Sequence, residues 1–126
     1  MNGAGAELPA GITHYCGSRG QNVGVLAAAL KKNTTLTSLG LSENYIRAEG
    51  TATLAAALEK NSTLTSLNLG YNNIGAAGTA CLAVALEKNY ALEGLDCYCS
   101  DTMKEQVKQL LARNIARRRQ WQNSVM

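Results

Sequence analysis

Residues 36–63, LTSLGLSENYIRAEGTATLAAALEKNST, and residues 64–91, LTSLNLGYNNIGAAGTACLAVALEKNYA, align without a gap and agree at 18 of 28 positions. Two copies at a fixed step mean one supersecondary unit that buries its apolar face against copies of itself, so the fold is built by stacking. Shifting by the same period finds a partial copy on either side. Upstream, Leu26, Ala27, Ala29, Leu30 and Asn33 fall on Leu54, Ala55, Ala57, Leu58 and Asn61. Downstream, Leu92, Leu95 and Cys97 take the LxxLxL positions before a charged segment begins. The expected organisation is a weakly patterned segment over 1–22, repeats of 28 residues over 23–99 with full units at 36–63 and 64–91, and a capping helix with a basic tail over 100–126.

Within a unit the hydrophobic period changes once. Leu39 and Leu41 alternate with small polar residues, which predicts a short strand with one buried face. Asn44, and Asn72 one unit later, stand where the chain must turn, and an amide side chain there can satisfy backbone groups that would otherwise cost ~1–3 kcal/mol each when buried unpaired. After Ile46 the period becomes helical: Ala52, Leu54, Ala55 and Leu58 are expected on one buried face. Gly50 and Gly78 recur at the same place in each unit and read as turn chemistry. Parallel strands spaced ~4.8 Å apart, joined by helices that need ~10 Å, must splay into a crescent with strands on the concave side and helices on the convex side. The fold class is α/β, a right-handed solenoid.

The pattern LxxLxLxxNxI followed by GxxxLAxALxxN resembles the leucine-rich repeat of the ribonuclease-inhibitor type, the helical variety also found in the arms of NOD-like receptors and in Ran GTPase activators. That resemblance covers residues 23 to 99. It implies a cytosolic curved solenoid that binds other proteins and leaves the partner unnamed. Leu111-Ala-Arg-Asn114, followed by basic residues, resembles the way many members of the family end.

Catalytic chemistry finds little support. There is one histidine, His14, with no nucleophile motif beside it, and the glycines follow the repeat period where a phosphate-binding loop would need its own spacing. Four cysteines come without a CxxC pair, so free thiols are expected and neither a metal nor any other cofactor is. Cys16 is expected at the asparagine position of the degraded first unit. No run reaches the ~18 apolar residues of a membrane span and the N-terminus lacks a signal-peptide pattern, so the expected location is cytoplasmic.

A protein-protein interaction surface remains. Register places Ser38, Ser42 and Glu43 of one unit, Ser66, Asn68 and Tyr71 of the next, and Asp96 and Tyr98 of the last on the concave face and its adjoining loops. Those eight are the candidate partner contacts, with Tyr71 and Tyr98 as aromatic anchors and Tyr15 as a third if a strand forms in the first unit. Three strands span only ~14 Å, a face on the order of 200 Å², against ~800 Å² per partner in a standard interface. Loops, the tail, or self-association would have to add area. One alternative is therefore a structural or self-assembling unit, a homo-oligomer joined through the uncapped N-terminal repeat. The other is nucleic-acid contact through the tail, where residues from 101 onward hold six basic side chains against Asp101 and Glu105. Thr102 and Glu105 have capping-box spacing, and Met103, Val107, Leu110, Leu111 and Ile115 recur on one helical face. Regular packing is expected to end near Ile115.

Overall fold

The leucine alternation becomes a parallel sheet. A computed structural model describes residues 11, 13–16, 22–97 and 101–124, with side chains over 104–122 of the last helix. Strands β1 (His14–Cys16), β2 (Ser38–Gly40), β3 (Ser66–Asn68) and β4 (Gly94–Asp96) alternate with helices α1 (Val23–Lys32), α2 (Arg47–Leu58), α3 (Gly75–Lys88) and α4 (Asp101–Ser124). The sheet order follows the sequence, β1-β2-β3-β4, and every pairing is parallel. The result is a short α/β solenoid, sheet on one side and helices on the other.

The buried face is almost wholly leucine. Leu36, Leu39 and Leu41 are matched one unit on by Leu64, Leu67 and Leu69, and all six are at most 1% exposed. From the helix side Leu26, Leu30, Leu54, Leu58, Leu82 and Leu86 meet them, each of them also buried. Each such side chain contributes ~1.5–3 kcal/mol through removal from water.

Three local expectations need correction. Ala52 is exposed, and Thr51 takes its place inside, its hydroxyl donating to the Arg47 carbonyl at 2.6 Å. The helical face is rotated because the buried stripe follows the neighbouring helix as well as the sheet. Gly50 and Gly78 lie within helices and not in turns. A Cβ on Gly78 would stand 2.9 Å from Ile74 Cβ and 3.3 Å from Thr51 Cβ, so close helix packing requires the glycine. Finally, the first unit is shorter than the others. β1 pairs His14 with Ser38, Tyr15 with Leu39 and Cys16 with Gly40. Cys16 therefore lies in a strand and not at the asparagine position, and Tyr15 occupies the inward leucine register, packed against the core.

Asparagines tie the units together at both ends of the strands. Where helix passes to strand, Asn61 donates to Leu30 O (2.9 Å) and Asn33 O (3.1 Å), and Asn89 donates to Leu58 O (2.7 Å) and Asn61 O (3.0 Å). Each amide oxygen accepts from its own chain further on: Asn61 from Thr63 N and Leu64 N, Asn89 from Ala91 N and Leu92 N. At the opposite end Asn72 donates to Leu41 O at 2.7 Å and accepts from Asn44 N at 2.6 Å. Among the described residues no buried side-chain polar atom is left without a partner. The leucine core is thus flanked by a polar tie at each edge of the sheet.

α4 closes the stack and runs on. Val107 is 4% exposed and Leu110 and Leu111 pack against the core. Asn114, fully buried, donates to Asn89 O (3.1 Å) and Leu92 O (2.7 Å), while Arg113 donates to Leu86 O (2.7 Å) and Asn89 O (3.0 Å). These two side chains supply the donors that the asparagine of a following repeat would bring. Burial ends near Ile115 while the helix itself continues to Ser124, with Arg117 stacked on Tyr90 and Arg118 paired with Glu93. The capping-box reading of Thr102, and Met103 on the apolar face, fall on side chains outside the described residues.

Candidate protein-binding surface

On the outward side of the sheet the strands align their side chains in two rows. One row is His14, Ser38, Ser66 and Gly94; the other is Cys16, Gly40, Asn68 and Asp96. Of the expected contacts, Ser66 and Asp96 are exposed, and Ser38 and Asn68 are half-buried. Asn68 is partly committed to the fold, since its Oδ1 accepts from Gly70 N at 2.9 Å. Only small side chains sit at the centre, so the rows form a smooth polar strip.

Ser42, Glu43 and Tyr71 are exposed as well, but they stand on the loops that follow β2 and β3 and not on the strands. Glu43 N donates to Gly70 O at 3.0 Å, which holds the two loops side by side. Both Glu43 and Tyr71 have φ of 58°, a left-handed conformation that costs a residue with a Cβ ~1–2 kcal/mol. Tyr45 (φ 54°) and Arg47 (φ 61°) repeat it further along the first loop, as Asn73 (φ 55°) and Gly75 (φ 65°) do in the second. Strain of this kind persists only where the surroundings dictate the backbone, here through Arg47 N donating to Asn72 O at 2.8 Å.

Tyr71 is 68% exposed and Tyr45 67%, so the aromatic area lies along the loop edge. Tyr15 faces the core side and does not join Tyr71 on the outward face, and Tyr98 lies outside the described residues. Tyr45 was missed because its counterpart one unit on is Asn73, which hid it from an argument based on repeated aromatics.

Opposite that edge, where helices pass to strands, Tyr90 is 50% exposed and Trp121 66%. The Arg113 and Arg117 guanidinium carbons lie 4.2 and 4.5 Å from the Tyr90 ring centre, and Arg118 Nε is 2.6 Å from Glu93 Oε2. Arg113, Arg117 and Arg118, three of the six basic side chains from 101 onward, are therefore held against the last repeat. Sequence reasoning missed Tyr90; the available signal was a tyrosine on the repeat position where the preceding unit has Ser62.

Among the described residues, no group of three or more histidine, cysteine or acidic side chains is placed to hold a metal, and no helix is long and apolar enough to cross a membrane. Cys16 and Cys81 are free thiols.

A family model described as Leucine Rich repeat matches residues 32–55 and 60–83. No curated protein matches the chain in sequence. Among solved structures, one described as leiomodin-1 actin-binding site 2 is similar with a TM-score of 0.66 at 20% identity, covering 89% of this chain and 86% of that one. The tropomodulin C-terminal domain from Caenorhabditis elegans gives a TM-score of 0.54 at 14% identity, covering 90% of each chain. At those identities the likeness is one of fold, and it agrees with the strand order and the two matched repeats. The chain thus carries two leucine-rich repeats and folds as the short α/β solenoid that those structures share.

Proposed function

We propose that this chain is a non-enzymatic protein-protein interaction module that holds its partner on the outward face of the sheet and the loops after β2 and β3. The observation that carries the reading is the contrast on that side. A smooth strip of Ser38, Ser66, Asn68 and Asp96 is bordered by exposed Tyr71 and Tyr45 on a backbone held rigid by inter-repeat hydrogen bonds. Rigid aromatics beside small polar residues lose little entropy on binding, and such tyrosines carry much of the energy of many interfaces. The leucine-rich repeat family supports a binding role, and the leiomodin structure, described as an actin-binding site, is an instance of this fold used as a protein platform.

The test is a pair of variants measured against a partner isolated with the full chain. Ser66→Arg places a long cation in the middle of the strip, and Tyr71→Ala removes the aromatic at its edge. Each should weaken capture by about tenfold or more while leaving the circular dichroism spectrum unchanged. Capture that survives both substitutions would overturn the reading.

A further inference from the structure

The overhang of α4 builds a second concavity that the strand face does not explain. Arg113 and Asn114 lie level with the end of α3, so ten residues, ~15 Å of helix, run past it to Ser124. Beneath that overhang is a groove of ≈ 530 Å³, floored by the loops from α2 to β3 and from α3 to β4 and walled by Arg117, Arg118 and Trp121. Its volume is within the ~300–1,000 Å³ usual for ligand sites. The stacking of Arg113 and Arg117 on Tyr90 and the Arg118–Glu93 pair fix the wall in place.

Its charge is lopsided in a particular way. Four cations, Lys60, Lys88, Arg117 and Arg118, line the groove with two carboxylates, Glu59 and Glu93. Both carboxylates are already matched: Glu59 with Lys88 at 3.6 Å, and Glu93 with Arg118. Lys60 and Arg117 have no carboxylate partner among the described residues. A merely solvated basic face would account for the charges. It would not account for a tryptophan left 66% exposed on a braced helix at the same place. An apolar surface beside two unmatched cations is complementary to a chain that carries both carboxylates and an apolar side chain.

We propose that this groove receives an extended acidic segment of a protein, its carboxylates on Lys60 and Arg117 and an apolar side chain against Trp121. A nucleic-acid strand fits less well, because an unbroken run of phosphates would meet only two cations without a carboxylate beside them, whereas a peptide can place its carboxylates on those two and its apolar side chain on Trp121. Thr65 and Glu93, which line the groove, immediately precede β3 and β4, so the groove adjoins the strand face and would enlarge its contact area. The proposal goes beyond the strand-face reading and is tested without it.

Trp121 is the one tryptophan of the 126-residue chain, so its emission reports the groove directly. The full chain is titrated with a capped six-residue peptide of aspartate and glutamate around one leucine. The same titration is run with a lysine-for-acid version and with a short oligothymidylate. The expected result is a saturable blue shift with the acidic peptide, weakening as salt rises. It should be about tenfold weaker in the Lys60→Gln, Arg117→Gln double variant. Lys60→Gln alone, at an exposed residue, should show part of that loss and guards against a folding defect in the double variant. No saturable shift, an equal response to the lysine peptide, tighter binding of the oligothymidylate, or unchanged affinity in both variants would each overturn the proposal. Ser66→Arg should leave this titration unaffected, which separates its outcome from that of the strand face.

Discussion

The two edges of the sheet solve the same problem with different backbones. Where helix passes to strand, Asn33, Asn61 and Asn89 recur at the end of each helix, and among the described residues of that edge no non-glycine residue has positive φ. All four Asn89 amide bonds are between 2.7 and 3.0 Å. Where strand passes to helix, Asn72 makes two short bonds and two long ones, 3.4 Å from Ile46 N and 3.3 Å to Gly70 O, and five non-glycine residues around it are left-handed. The first edge is saturated and relaxed; the second is tied but strained. Exposed Tyr45 and Tyr71 sit on the strained edge, as expected if loops that present side chains to a partner trade local stability for fixed geometry.

Substitution at the two ladders tests that contrast. Asn89→Ala removes donors from two carbonyls and acceptors from two amides in a buried site. It should lower stability by ~3–5 kcal/mol, among the larger effects of a single change. Asn72→Ala removes two good bonds and two weak ones and should cost ~2–3 kcal/mol. Urea midpoints of the two variants check the order, and a larger loss at Asn72 would erase the distinction drawn between the edges. Arg47→Gly probes the strain itself. Arg47 has φ of 61° where the next unit has Gly75 at 65°, so the glycine should raise stability by ~0.5–1 kcal/mol after its own entropy cost, seen as a small rise in thermal midpoint. A fall in the midpoint would mean that the Arg47 side chain holds the loop more than its backbone disturbs it.

Repetition made the strand face legible. Leucines at 39 and 67 fix the inward register, so the outward neighbours Ser38, Ser66, Asn68 and Asp96 could be placed without coordinates. The same tool failed where the period did. His14 pairs with Ser38 24 positions on, against 28 between Ser38 and Ser66, and a constant shift therefore moved Tyr15 and Cys16 onto the wrong rows. Gly78 was misread because part of its cause is the approach of Thr51 from the neighbouring helix, added to Ile74 in its own turn, and no local pattern displays that approach. The groove under α4 was invisible for a related reason. Tyr90, Glu93, Arg117 and Trp121 meet only through the way one long helix docks on the last repeat, and nothing in their spacing announces it. The helix-edge asparagines lay in plain view as repeat identities, but an identity does not say whether a residue serves its own unit or the next.

Arg113 and Asn114 satisfy carbonyls of the unit before them, Leu86 O, Asn89 O and Leu92 O, and ask nothing of a unit beyond. Because Arg113 and Asn114 read generic acceptors that every coil exposes, and Arg117 and Arg118 read only Tyr90 and Glu93 of the last coil, coils can be added or deleted upstream of that coil without altering the terminator. Array length and array ending are thus independent variables in this architecture, and a lengthened version should accept the same last helix unchanged.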